Sequence, residues 1–127
     1  MSSILGIGTD VVDVDRIRHS FEEYGDRFAR RVFTEVEREY CERFGETKHL
    51  HYAARFAAKE AFSKAIGTGM RDGMAFQLLG VRNEPSGKPV AVLSGLMHER
   101  YASHIIHITL SHTANVAIAV VVIEKPA

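Results

Sequence analysis

The chain has 127 residues, 46% of them apolar and 25% charged, which suits one compact domain spanning residues 1–127 and excludes a disordered or fibrous polypeptide. Sixteen Lys plus Arg balance 16 Asp plus Glu, so the chain lacks the basic footprint of a nucleic-acid coat. No run approaches the roughly 18 consecutive apolar residues of a membrane span, and the lone Cys41 cannot form an internal disulfide or a cysteine zinc motif.

Residues 4–12 read as a strand, with Leu5, Ile7, Thr9 and Val11 on one face at period two. The other face carries Ile4, Gly6, Gly8 and Asp10, and its two glycines leave room beside a carboxylate for either a packed neighbour or a ligand. Asp13 or Asp15 can cap a helix through Val14, Ile17, Phe21 and Tyr24 that ends at Gly25. A short, basic amphipathic segment, 26–33, follows. Thr34 and Glu37 fit a capping box, opening a helix whose predicted inward stripe is Val36, Tyr40, Cys41 and Phe44. Cys41 is then a buried small hydrophobe rather than a nucleophile.

The strongest helical signal is the Ala-rich run from about His49 to Ile66, closing on Gly67-Thr68-Gly69. Apolar runs at 76–81, 90–93, 105–110 and 116–123 read as strands, with a short helix over 94–103. The order β-ααα-ββ-α-ββ does not alternate strictly, so the expected class is α+β with a largely antiparallel sheet. Residues 1–64 hold 11 Lys or Arg and 12 Asp or Glu, against five and four in 65–127. The polar chemistry therefore crowds into the first half.

Three segments could carry that chemistry. Glu60 and Lys64, spaced i, i+4, share a helix face; alone they are an ordinary surface pair worth about 0.2–0.5 kcal/mol. If the long helix packs across the first strand, Asp10 joins them, and two carboxylates with a lysine suit Mg²⁺ serving phosphate chemistry. The loop Ser86-Gly87-Lys88-Pro89 is either a plain hairpin connection or a phosphate contact. Ser111 and His112 adjoin on a strand, where neighbouring side chains point to opposite faces; they make no hydrolase pair, though His112 can still relay a proton. His49 and His51, at i, i+2, do not share a helix face and read as solvated.

Taken together, Gly6-Ile7-Gly8-Thr9-Asp10, Arg55 through Lys64, Gly67-Thr68-Gly69, Ser86-Gly87-Lys88-Pro89 and Ser111-His112-Thr113 resemble the short, single-domain group of the 4′-phosphopantetheinyl transferases, the holo-acyl-carrier-protein synthases. The resemblance covers nearly the whole chain in order. It implies that family's α+β fold, with a long helix packed on a largely antiparallel sheet. The implied activity is transfer of the 4′-phosphopantetheine arm of coenzyme A to a serine of apo acyl carrier protein, releasing adenosine 3′,5′-bisphosphate, in support of fatty acid biosynthesis. Asp10 and Glu60 would hold Mg²⁺, and Lys64 would stabilise the departing bisphosphate. Glu60, a metal-bound water and His112 are the candidates for taking the serine proton, with the water favoured.

The resemblance also implies coenzyme A contacts at Arg55, Lys64, Gly87, Lys88, Pro89, Ser111 and His112. Larger relatives carry a third carboxylate two residues after the first, where this sequence has Val12. The basic cluster Arg16, Arg27, Arg30 and Arg31, with Phe28 as an apolar anchor, offers a docking face for the acidic carrier protein. A homotrimer with sites between subunits is expected from the family, its interface formed by the apolar strands of the second half. The expected setting is the cytoplasm, because Met1–Gly6 lacks the zones of a signal peptide; neither a membrane nor a nucleic acid is expected as partner. The rival readings are another Mg²⁺-dependent enzyme that cleaves nucleotide pyrophosphates and a non-enzymatic α+β binding module.

Overall fold

The computed structural model describes residues 3–127. Strand β1 (Ile4–Asp13) runs into α1 (Val14–Tyr24), α2 (Asp26–Val32), α3 (Glu35–Glu42) and the long α4 (Lys48–Ala65). The second half supplies β2 (Leu79–Asn83), β3 (Pro89–Leu93), α5 (Gly95–Tyr101), β4 (Ile105–His112) and β5 (Val116–Glu124). The α+β class holds, with all strand pairs antiparallel, but the strands form two sheets: β1-β5-β4 and the hairpin β2-β3.

Helix α4 packs across β1 and β5, and small residues make the contact close. Ala53, Ala57, Ala61 and Ala65 recur every fourth position and are all buried, so they form one smooth stripe. Opposite them stand Gly6 and Gly8, where a Cβ would lie 1.9 Å from the Ala65 carbonyl oxygen and 2.0 Å from that of Ala61. The bare glycine face thus receives a backbone rather than a ligand. The period-two face of β1 points the other way, leaving Ile7 and Val11 66% and 62% exposed.

Several local readings change. The α1 N-terminus follows Asp13, but no side chain caps it; Asp15 instead pairs with Arg18. The capping box at Thr34 and Glu37 forms. However, Val36 and Phe44 face outward while Glu37 goes inside with Cys41, because Glu37 has a buried partner that periodicity cannot reveal. That partner is Lys59, 2.8 Å away, with both side chains fully buried. Lys59 also donates to the carbonyls of Phe76 (2.8 Å) and Leu79 (2.6 Å), and Glu37 accepts from the backbone of Thr34 (2.8 Å) and Val81 (2.9 Å). Phe76–Leu78 consequently form a 3-10 turn instead of strand, and β2 starts at Leu79. Full burial of both charges is tolerated because each keeps several hydrogen bonds. Cys41 is buried as read, and its thiol is pushed up to about 12 by burial, which leaves it inert.

Candidate active site

The close contact of α4 with β1 brings Asp10, Glu60 and Lys64 together. Lys64 Nζ donates to Asp10 Oδ1 at 2.9 Å and to the Thr9 carbonyl at 3.0 Å. Glu60 is held above the usual carboxylate range, first by burial and then by the negative Asp10, with Lys64 and Arg16 pulling the other way. Two partly desolvated carboxylates that repel each other favour a cation between them. Their oxygens are the hard donors that Mg²⁺ takes, and a pair leaves positions for phosphate and water. Among the described residues no group of three His, Cys, Asp or Glu side chains is placed to share an ion, and Val12 is buried in the core.

A second set gathers at the other end of α4. Arg55, Gly87, Pro89 and His112 line a cavity of about 180 Å³ together with Tyr40, His51 and Asn83. Arg55 is buried over the Tyr40 ring at 4.3 Å; its Nη1 donates to His51 O (3.1 Å) and its Nη2 to Asn83 Oδ1 (2.5 Å), while Nε has no partner. His51 is therefore half-buried in a cavity wall, stacked on Phe44 at 3.6 Å, and not solvated as its spacing suggested. Lys88 is exposed on the β2-β3 turn, outside the cavity lining. Ser111, one residue from His112, belongs to the opposite face of the sheet by strand alternation.

The basic aromatic set also assembles. Arg27, Phe28 and Arg31 line a groove of about 430 Å³ whose remaining walls include Tyr24, Phe56 and Phe76. The Phe28 ring is held edge-on by Phe21 at 5.1 Å and by Phe33 at 5.8 Å. Arg16 lies over the Phe56 ring at 5.4 Å and lowers the Glu60 pKa, so it stands between groove and carboxylates. Arg30 lies apart, paired with Asp26 at 2.7 Å.

Sequence reasoning missed Lys59, Glu37 as its partner, and His51. The available signal for Lys59 was a charge inside an Ala- and Phe-rich helical stretch, where Ala58 and Ala61 on either side of the Lys59-Glu60 pair are buried. Nothing local marked His51, whose neighbours come from α3, β2 and β4.

The α+β fold thus presents a carboxylate pair with a lysine at a helix–strand junction, a cationic cavity toward the other end of α4, and a basic aromatic groove. A family profile for the 4′-phosphopantetheinyl transferase superfamily matches residues 6–121. The chain belongs to that superfamily. It is 45% identical to a holo-[acyl-carrier-protein] synthase of Sphingopyxis alaskensis over 95% of this chain and 96% of that protein. Among solved structures, the Bacillus anthracis holo-(acyl-carrier-protein) synthase in complex with CoA (3′,5′-ADP) is 38% identical, with a TM-score of 0.80 over 96% of this chain and 97% of that one. The Neisseria meningitidis holo-[acyl-carrier-protein] synthase is 34% identical, with a TM-score of 0.86 over 97% of this chain and all of the other.

Proposed function

We propose that this protein is a holo-acyl-carrier-protein synthase, moving 4′-phosphopantetheine from coenzyme A to a serine of apo acyl carrier protein and releasing adenosine 3′,5′-bisphosphate. The observation that carries the reading is the meeting of Asp10, Glu60 and Lys64 at the α4–β1 contact, beside a groove lined by Arg27, Phe28 and Arg31. Asp10 and Glu60 would hold Mg²⁺, which when bound would supply Lewis-acid polarisation of the pyrophosphate. Lys64, with its side chain 53% exposed, exchanges Asp10 for a phosphate oxygen and neutralises charge on the departing bisphosphate. The serine proton leaves through water at the carboxylate pair. His112 sits in the cavity on the far side of α4, which favours nucleotide binding over base catalysis for that residue.

Arg55, Gly87, Pro89 and His112 bind the nucleotide end of coenzyme A, with Lys88 and Ser111 contributing from outside the cavity. Arg55 and Glu60 are five positions apart on α4, roughly 140° around its axis. On the sheet, Asp10 and His112 occupy opposite edge strands, separated by β5, roughly 10 Å apart in strand spacing alone. One nucleotide reaching both therefore has to pass around α4 within a chain, whereas neighbouring copies can supply the two halves directly. That geometry supports a homotrimer with sites between subunits, as does the exposed apolar face formed by Ile7, Val11, Ile105 and Ile118. No helix among the described residues is long and apolar enough to cross a membrane. As a holo-acyl-carrier-protein synthase the enzyme would serve fatty acid biosynthesis in the cytoplasm.

Intact-mass spectrometry of apo carrier protein incubated with this protein, coenzyme A and Mg²⁺ tests the reading. A gain of one phosphopantetheine, lost in Glu60→Ala, is expected. No gain with several carrier proteins overturns it.

A further inference from the structure

The cavity at Arg55 contains no carboxylate. Its titratable members are Tyr40 from α3, His51 and Arg55 from α4 and His112 from β4; its other walls, including Asn83 of β2 and Pro89 of β3, are neutral. Arg55 is the one permanently charged member, so the lining favours an anion. Arg55 is already fixed by Tyr40, His51 and Asn83, and its buried Nε still lacks a partner. The His51 ring lies flat on Phe44 and 5.6 Å from the His112 ring. Stacking holds a ring by its faces, which leaves the nitrogen edge available to a ligand.

We propose that His51 is a specificity-determining residue of the coenzyme A site: it takes up a proton when a phosphate monoester enters beside Arg55, so the site prefers nucleotides that carry such a group. The proposal rests on the reading above that this cavity binds the nucleotide end of coenzyme A. Without ligand, burial, then Arg55, then His112 hold the imidazole down to about 4, so it is neutral at pH 7 and the cavity avoids a further repelling cation. A dianionic phosphate reverses the sign of the local field and favours the imidazolium, and a hydrogen bond between ionised partners is roughly twice as strong as a neutral one. The proton comes from solvent and resides on the imidazole edge facing the phosphate. Coenzyme A carries one phosphate monoester, on the ribose; dephospho-coenzyme A lacks it and retains only the pyrophosphate diester.

The test is calorimetric titration of the full chain, in Mg²⁺, with coenzyme A and with dephospho-coenzyme A at pH 6.5 and 8, in buffers of different ionisation enthalpy. Wild type is expected to take up a proton with coenzyme A and none with dephospho-coenzyme A. His51→Phe keeps the stack on Phe44; it should bind coenzyme A about tenfold more weakly at pH 6.5, the lower end for a hydrogen bond to a charged group, with the difference shrinking at pH 8. Its dephospho-coenzyme A affinity should be unchanged. Unaltered coenzyme A affinity and proton uptake in His51→Phe, or an equal loss for both ligands, overturns the role of His51. Binding of neither ligand by wild type overturns the cavity assignment itself.

Discussion

Gly8→Ala tests whether the site depends on the closeness of α4 and β1. In a strand free of neighbours, alanine in place of glycine gains about 0.5–1 kcal/mol. Here the added Cβ would sit 2.0 Å from Ala61 O, 2.8 Å from Ala65 N and 3.0 Å from Ala61 C. A carbon meets a carbonyl oxygen at about 3.3 Å or more, so helix and strand have to part by more than about 1 Å. The obstacle is helix backbone, which no rotamer change relieves. Overpacking by movable side chains costs about 1–3 kcal/mol, and a rigid obstacle places this variant near about 3 kcal/mol, reversing the sign expected from propensity. That loss is large but within a typical stability of about 5–15 kcal/mol, so the variant should fold. Glu60 adjoins Ala61 and moves with it away from Asp10, and a misplacement of about 1 Å costs roughly a hundredfold in rate. Urea unfolding together with the carrier-protein mass assay measures both effects. Gly80→Ala is the control: its Cβ meets the Thr34 side chain, Cγ2 at 3.2 Å and Oγ1 at 3.4 Å, with the Val92 carbonyl oxygen at an ordinary 3.8 Å, and it should cost well under half as much. Gly8→Ala with wild-type stability and full activity would refute the reasoning.

Other expected outcomes concern charge. Lys59→Met leaves Glu37 buried without its cation and frees the carbonyls of Phe76 and Leu79, so urea midpoints should report a loss of about 4 kcal/mol. Adding Glu37→Leu should not restore stability, because the amides of Thr34 and Val81 then lose their acceptor; full rescue would show the pair to be dispensable. Arg16→Ala with Arg27→Ala should raise the KM for carrier protein severalfold at low salt and leave coenzyme A affinity unchanged, a difference that fades as salt screens the groove. His51 has a native pKa depressed to about 4, so its contribution to stability is complete above the unfolded value of about 6.5 and is lost as pH falls toward 4. His51→Phe should accordingly show a flatter decline in denaturant stability between pH 6.5 and 4; equal declines in both proteins would contradict the assignment.

What the sequence by itself determined was local in origin. The capping box at Thr34, the Ala-rich α4, the glycines that end helices and the period of the strands all follow from spacings within a few residues. The grouping of Asp10, Glu60 and Lys64 was legible only as a condition on how α4 meets β1, and family resemblance supplied that condition. The tertiary structure decided which side of each element is inside. The regular face of β1 proved to be the exposed one, because two glycines make the other face fit an alanine stripe. Glu37 displaced Val36 from the interior because Lys59, 22 positions along the chain, offered it a buried opposite charge. His51 joined Arg55 and His112 because α3, α4, β2 and β4 converge there. Periodicity reports a side chain's angle about its own helix or strand; only packing between elements sets what that side chain meets.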